Sequence, residues 1–453
     1  MQVIPAESSI PKGSLGVWYL AWPSIITNLL YATSSIFAIK IVGSLGPDAI
    51  AATVTGQRVN FILQAILTGI LAGTTALISR NWGANKYDNA AQYLTATLQL
   101  VILISTISGI LLWLFTDEIV SIFLLEDRAH DLSVVYLRYL SPFFPFFGAG
   151  IGLITALRAV GDVRTPLAVA VVMNGVAISV MYILVNGHFG FKAYGVLGAA
   201  IGNGLSFLFG FLVLFTLWYS NVFKIKSSNL NTINKEKISK IIDVGYPAAL
   251  EQILFQIGIT AFLILIATYG TKAYAAYGIG VQLLSFAFVI GFGFSIAGAT
   301  LVGQHLGAND RKQAVRSGWG SMRLSIVSMT VFGVVIVIFA QELSALMVDD
   351  QEVIRLTVLF IYLLGSMQPL MAIEFSIGGA LRGAGDTRTP FIITVTCLIL
   401  IRVLLALILF LIDAKVEFIF ATLLIDYIVK GILFLWAFKS MRWLDAFKFS
   451  DSD

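Results

Sequence analysis

Twelve stretches of this 453-residue chain stay apolar for about 20 to 30 residues each, which removes most architectures at once. Roughly, they cover 15–42, 49–78, 88–114, 132–156, 165–186, 196–219, 240–267, 274–302, 314–340, 352–380, 389–412 and 416–438. As helices, runs of that length cross a hydrocarbon layer of about 30 Å. Inside lipid the backbone must bond to itself, and the alternating ten-residue strands of a closed barrel are absent, so helices are expected throughout. Composition agrees: 58% of residues are hydrophobic and 12% charged, against about 25% charged in ordinary soluble domains.

Basic residues set the orientation. With the N-terminus inside, about 19 of the 29 Lys and Arg fall on inner loops and tails, among them Lys224, Lys226, Lys235, Lys237 and Lys240. The longest outer loops are acidic, with Asp117, Glu118, Glu126 and Asp127 in one and Asp349, Asp350 and Glu352 in the other. Both termini are therefore expected in the cytoplasm. The N-terminal MQVIPAESSIPKG lacks the basic region and short apolar core of a removable signal peptide. A sequence pI near 9.0 reflects the loop bias and gives no case for nucleic-acid binding. Cys397 is the single cysteine and His130, His188 and His305 are scattered, which excludes disulfides and argues against a clustered metal site.

The chain writes one motif twice. ALRAVGDVRTP (156–166) and ALRGAGDTRTP (380–390) share eight of eleven residues at an offset of 224. At the same offset Pro23 matches Pro247, Gly46 matches Gly270, Gly56 matches Gly280, Gly83-Ala84-Asn85 match Gly307-Ala308-Asn309 and Pro145 matches Pro369. Two six-helix halves follow, 1–221 and 241–453, joined by a basic cytoplasmic linker at 222–240. With an even number of helices in each, both copies enter the membrane from the same side. The expected fold is an all-α integral membrane protein, its two six-helix lobes related as a parallel repeat by a pseudo-two-fold axis along the membrane normal.

Within the motif, Gly161 and Gly385 suit the left-handed turn that ends a helix, and Thr165-Pro166 and Thr389-Pro390 read as N-cap and first-turn proline of the next. Arg158, Arg164, Arg382 and Arg388 are placed at the cytoplasmic face, where Asp162 and Asp386 are expected to pair with them. These are candidate inner hinge loops. Pro23 makes the first helix a second candidate moving part.

VGSLGPDAIAA (42–52), PAALEQ (247–252), LVGQHLGAND (301–310) and the two hinge loops together make the whole chain resemble the multidrug and toxic compound extrusion (MATE) family. The resemblance implies a secondary antiporter exporting organic, often cationic compounds in exchange for Na⁺ or H⁺. It departs from the family in three places. Ala38 stands where the family often carries a helix 1 Asp, as in its DinF-like branch. Phe255 stands where the NorM-like branch has its helix 7 acid, and the helix 10 acid of that branch falls near Met371.

Ionisable groups at membrane depth are costly, so each is a site candidate. Glu251 and Glu374 lie at similar depths, about 16 Å and about 12 Å from the inner surface, and form the expected coupling site for H⁺ or Na⁺. Gln252 and Gln256 are their polar neighbours. Arg402, Asp426 and Lys430 occupy the same slab, with Asp426 and Lys430 spaced as an intrahelical ion pair and Arg402 available to neutralise an acid. Arg58, whose repeat partner is Gln282, is the N-half counterpart, standing in for the missing cation site or meeting an anionic group of the cargo. Lys40 is close enough to the outer end of its helix to snorkel. Asn28, Arg58, Gln252, Gln256, Gln282, Met371, Arg402 and Asp426 are the expected cargo-cavity residues. Tyr31, Tyr139, Phe143, Phe144, Phe146, Phe147 and Met367 can add adaptable apolar lining.

The leading reading is multidrug efflux by ion-coupled antiport in a bacterial or archaeal cytoplasmic membrane, by a monomer that needs no cofactor. The alternative is a flippase of a lipid-linked intermediate with the same fold, which wants a cationic cavity. No phosphate-cradling loop, zinc motif or nucleophile elbow is present, which argues against an enzyme.

Overall fold

In a computed structural model of the chain, residues 14–226 and 234–446 are described. The signal-peptide reading of the first thirteen residues and the middle of the basic linker fall outside them. All regular elements among the described residues are helical. Helices α1 (Ser14–Gly43), α2 (Pro47–Gly83), α3 (Tyr87–Leu114), α4 (Thr116–Ser121), α5 (Asp127–Leu140), α6 (Phe144–Ala159), α7 (Arg164–Asn186) and α8 (Val196–Tyr219) form the first series. After the linker come α9 (Lys235–Ala267), α10 (Thr271–Gly307), α11 (Arg311–Ile338), α12 (Ala340–Ala345), α13 (Gln351–Ser366), α14 (Gln368–Gly383), α15 (Arg388–Cys397), α16 (Ala406–Leu411) and α17 (Val416–Lys439).

Among the described residues eleven spans are long and apolar enough to cross a membrane; α13 and α14, bent by 51° at their junction, make a twelfth when taken as one. The bend has a local cause. Pro369 lies in the first turn of α14, where its missing N–H and fixed φ suit a helix start and oppose continuation from α13. In the first series α5 and α6 are separated by a 3₁₀ turn, Ser141–Phe143, that contains Pro142, and Pro145 opens α6. α1 and α9 each carry an internal proline, Pro23 and Pro247.

Element boundaries recur to the residue at the offset of 224: α2 with α10, α3 with α11, α4 with α12, and α6 with α14. Left-handed residues recur too, at Gly46 and Gly270, Asn85 and Asn309, and Gly161 and Gly385. The duplication is thus carried in backbone conformation even where side chains have diverged.

The described residues gather into two compact units. One holds the chain up to Ile25, Ser79–Asn85 and the residues from Tyr246 on; the other holds Ile26–Ile78 and Lys86–Gly245. In the second of these, an apolar core is built around Val42, Leu67, Val101, Tyr136, Leu140 and Phe144. In the first, Phe262, Tyr277, Phe360 and Phe420 belong to one core, with Tyr277 and Phe360 in an edge contact at 5.1 Å between ring centroids. Close helix approach here depends on small residues: a Cβ at Gly379 or Gly383 of α14 would enter the α10 backbone at Ser295 or Ala299.

Candidate functional site

The two copies of the repeated motif form loops that are built alike. Gly161, at φ +88°, follows α6, and its N–H donates to Arg158 O at 3.0 Å while Asp162 N–H donates to Leu157 O at 2.9 Å. Gly385, at φ +91°, follows α14, with matching bonds from Gly385 N–H to Arg382 O and from Asp386 N–H to Leu381 O, both 3.0 Å. A residue with a Cβ is disfavoured at such φ, which accounts for glycine in both copies.

Capping departs from the sequence reading. Helix α7 starts at Arg164 and α15 at Arg388, so the flanking residues are Val163 and Thr387, and the threonines ahead of Pro166 and Pro390 already lie inside the helices. Asp162 Oδ1 accepts from Thr165 N–H at 3.0 Å and Asp386 Oδ1 from Thr389 N–H at 3.0 Å. The aspartates therefore satisfy orphan helix N–H groups.

Arg382 is free of the loop for that reason. It is the penultimate residue of α14, and its Nη2 donates to Glu251 Oε1 of α9 at 2.6 Å. The Glu251 side chain is 5% exposed. Its second oxygen, Oε2, is buried and accepts no hydrogen bond.

Glu374 does not share a cation with Glu251. Its Oε1 lies 3.6 Å from Lys430 Nζ on α17, and Glu251, Asp426 and Arg402 also stand within electrostatic reach. Lys430 Nζ is 3.2 Å from Asp426 Oδ2, one turn earlier on the same helix. Asp426 Oδ2 in turn accepts from Arg402 Nη2 at 2.5 Å. Three acids, Glu251, Glu374 and Asp426, are thus balanced by three bases, Arg382, Arg402 and Lys430. Removing isolated charges from water is prohibitive, and this neutral set is how the apolar helices accommodate them.

Local backbone geometry delivers Arg402. Residues Leu398–Leu405, between α15 and α16, form a π-helix, a wide turn that re-aims the side chains it carries. Arg402 also lies 5.3 Å from the Tyr427 ring, and Lys430 lies 5.4 Å from Tyr427 and 6.0 Å from Phe255. Phe255 thus offers its ring face to a cation.

Other expected cavity residues divide by exposure. Arg402 and Asp426 are buried with each other, and Met371 is fully buried in a cluster with Ala287, Met329, Ala372 and Tyr427, so none of the three meets open space here. Arg58 and Gln282 are exposed on their helices; Asn28, Gln252 and Gln256 are half-buried. Lys40 is exposed in the last turn of α1. Phe144 belongs to a core, and Phe146 and Phe147 pack on Phe211 and Phe207 of α8. Among the described residues no group of three His, Cys, Asp or Glu gathers as a metal-ligand set.

Sequence reading missed Arg382 and Lys430 as the partners of the two glutamates. The available signal was charge balance: the buried acids in the second half required as many cations at the same depth.

A profile of the MatE family matches residues 23–183 and again 247–408. The chain belongs to the MatE family. That one profile matches twice, with starts 224 residues apart, also confirms the internal duplication. A Thermotoga maritima protein named probable multidrug resistance protein NorM is 28% identical over 399 residues, covering 86% of this chain and 84% of the relative. Probable multidrug resistance protein YoeA of Bacillus subtilis is 26% identical over 82% of each. Among solved structures, the outward-facing conformation of a multidrug resistance MATE family transporter superposes with a TM-score of 0.87 at 18% identity, over 97% of this chain and 98% of that one. A Vibrio cholerae MATE transporter in its bent form gives 0.86 at 19% identity, over 95% and 96%. The MATE fold, two lobes of membrane helices, is that of this chain, which is a multi-pass membrane transporter.

Proposed function

We propose that this transporter is a secondary active antiporter of the cytoplasmic membrane, its termini inside, exporting cationic or amphipathic organic compounds in exchange for H⁺ or Na⁺. The observation that carries this reading is the neutral buried network in which Glu251 keeps one carboxylate oxygen without a partner. A proton or a small cation at that oxygen replaces a missing interaction, and it competes with Arg382 for the carboxylate. Glu374, its side chain 18% exposed beside Lys430, is the second coupling acid. Gln252 and Gln256, near Glu251 in sequence, and Gln282, all at least partly exposed, are the polar groups proposed to meet cargo in the second half. Exchange requires that ion and cargo each bind the two access states unequally, and a carboxylate that is either paired or occupied supplies that difference.

The test is efflux of a cationic dye from reconstituted vesicles with a proton or a sodium gradient imposed separately. Export driven by one gradient, and abolished in Glu251→Gln at normal abundance, is the expected result; dye export indifferent to both gradients would reject antiport. A second reading, flipping of an anionic lipid-linked intermediate, is favoured by Arg58, exposed well inside the α2 span. It would be supported instead if dye export were absent and Arg58→Ala abolished headgroup translocation.

A further inference from the structure

Arg158 and Arg382 occupy equivalent places in two loops of matching backbone, yet their surroundings differ. In the second half the Arg382 side chain ends on Glu251 Oε1 at 2.6 Å, while its own carbonyl accepts the Gly385 N–H that closes the loop. One residue therefore joins a buried carboxylate on α9 to the backbone of loop 384–387. Asp386, the nearest loop acid in sequence, is engaged with Thr389 N–H. In the first half the position equivalent to Glu251 is Thr27, which carries no charge, and Arg158 stands within electrostatic reach of the Tyr31 phenol. The charged groups around Glu251 are Arg382 and Glu374 on α14, with Arg402, Asp426 and Lys430 beyond; of these Arg382 alone makes an ion pair with it.

We propose that the Glu251–Arg382 pair is a tether on the inner loop of the second half, so that neutralising Glu251 by a bound monovalent cation frees loop 384–387, while loop 160–163, with Thr27 at the position equivalent to Glu251, stays as it is. The proposal rests on the antiport reading for the identity of the neutralising ion, and on geometry for the tether itself. It makes Arg382 a positioning residue: it touches neither cargo nor ion, and it passes the state of Glu251 to the cytoplasmic face. Two loops of the same conformation would then differ in what controls them.

Thr387 and Val163 are repeat equivalents, each 2% exposed beside its loop glycine, and serve as paired reporters. In a Cys397→Ser background, Thr387→Cys or Val163→Cys is labelled with a water-soluble maleimide in the full-length detergent-solubilised protein, without cargo or gradient. Glu251→Gln is expected to raise the Thr387→Cys labelling rate about tenfold, the effect of roughly 1.4 kcal/mol on a local opening equilibrium, and to leave Val163→Cys unchanged. Arg382→Gln should give the same rise, and the combined variant no more, because both remove one interaction. Arg382→Lys, which keeps the charge, should stay near the unmodified rate. An unchanged rate at Thr387→Cys in Glu251→Gln, an equal rise at both reporters, or additivity in the double variant would each overturn the tether. Labelling needs no transport, so the outcomes separate: the expected labelling with no ion-driven export sinks the antiport reading alone, and lost export with unchanged labelling sinks the tether alone.

Discussion

Arg402 Nη2 lies 2.5 Å from Asp426 Oδ2, both side chains buried, and the arginine reaches it from within a π-helical stretch. The pair is one corner of a six-residue network with no net charge, the only arrangement in which so many ionised groups persist among apolar helices. It also fixes α17 against the π-segment, because a buried ion pair tolerates little displacement before desolvation is uncompensated.

Removing one member should therefore be worse than removing both. Arg402→Met leaves Asp426 with Lys430 alone and is expected to lower stability by about 3 kcal/mol. Arg402→Met combined with Asp426→Leu should recover most of that loss, since Lys430 retains Glu374 at 3.6 Å. Thermal unfolding in detergent micelles checks both variants. A single variant as stable as the unmodified protein would mean that the pair contributes nothing to the packing of α17.

Both motif loops need a left-handed residue, so Gly161→Ala and Gly385→Ala should each destabilise by about 1–2 kcal/mol through the same steric clash. The φ values, +88° and +91°, are close enough that the two losses should match. Comparison of unfolding midpoints tests this; a neutral effect at either site would show that the loop relaxes to another conformation.

Outside the membrane-spanning segments, the carboxyl of Asp350 is held below its ordinary range, first by the hydrogen-bonded Lys272 ammonium and then by the Val353 and Glu352 N–H groups it caps. Because the folded value lies below the unfolded one, the contribution is fully present above about pH 3.9 and is lost as pH falls through the depressed value. Asp350→Asn should thus lower the unfolding midpoint at pH 7, and the gap to the unmodified protein should close in acid. A gap that persisted unchanged to pH 2 would show that the charge plays no part.

A cleft of about 460 Å³ beside Asp350 and its partner is lined by Tyr269, Lys272, Glu352, Arg355, Lys415 and Glu417. Arg355 bridges Glu352 and Glu417 there, at 2.8 and 3.0 Å. These exposed pairs are screened by solvent, unlike the inner network, which marks them as surface trim rather than a second coupling site.

Hydrophobic length and internal repetition settled much in advance. Twelve apolar runs fixed the helical class because lipid offers the backbone no other partner, and the offset of 224 fixed the parallel duplication, down to the left-handed glycines 161 and 385. The same reading placed Glu251, Glu374, Arg402, Asp426 and Lys430 in one slab, because depth follows from residue count along a helix. It paired Asp426 with Lys430, which lie 3.2 Å apart, but gave Glu251 and Glu374 no partner. Pairing depends on the rotation of each helix about its axis and on where the 3.6-residue period breaks, and the sequence LILIRVLL carries no sign that it winds as a π-helix. Arg382 shows the limit most plainly. Its position at a helix end suggested a cytoplasmic charge beside Asp386, whereas the approach of α9 to α14 put Glu251 within 2.6 Å and the aspartate went to a helix N-terminus instead. Periodicity and count determine what crosses the bilayer and how deep each charge lies; only packing decides which charges meet.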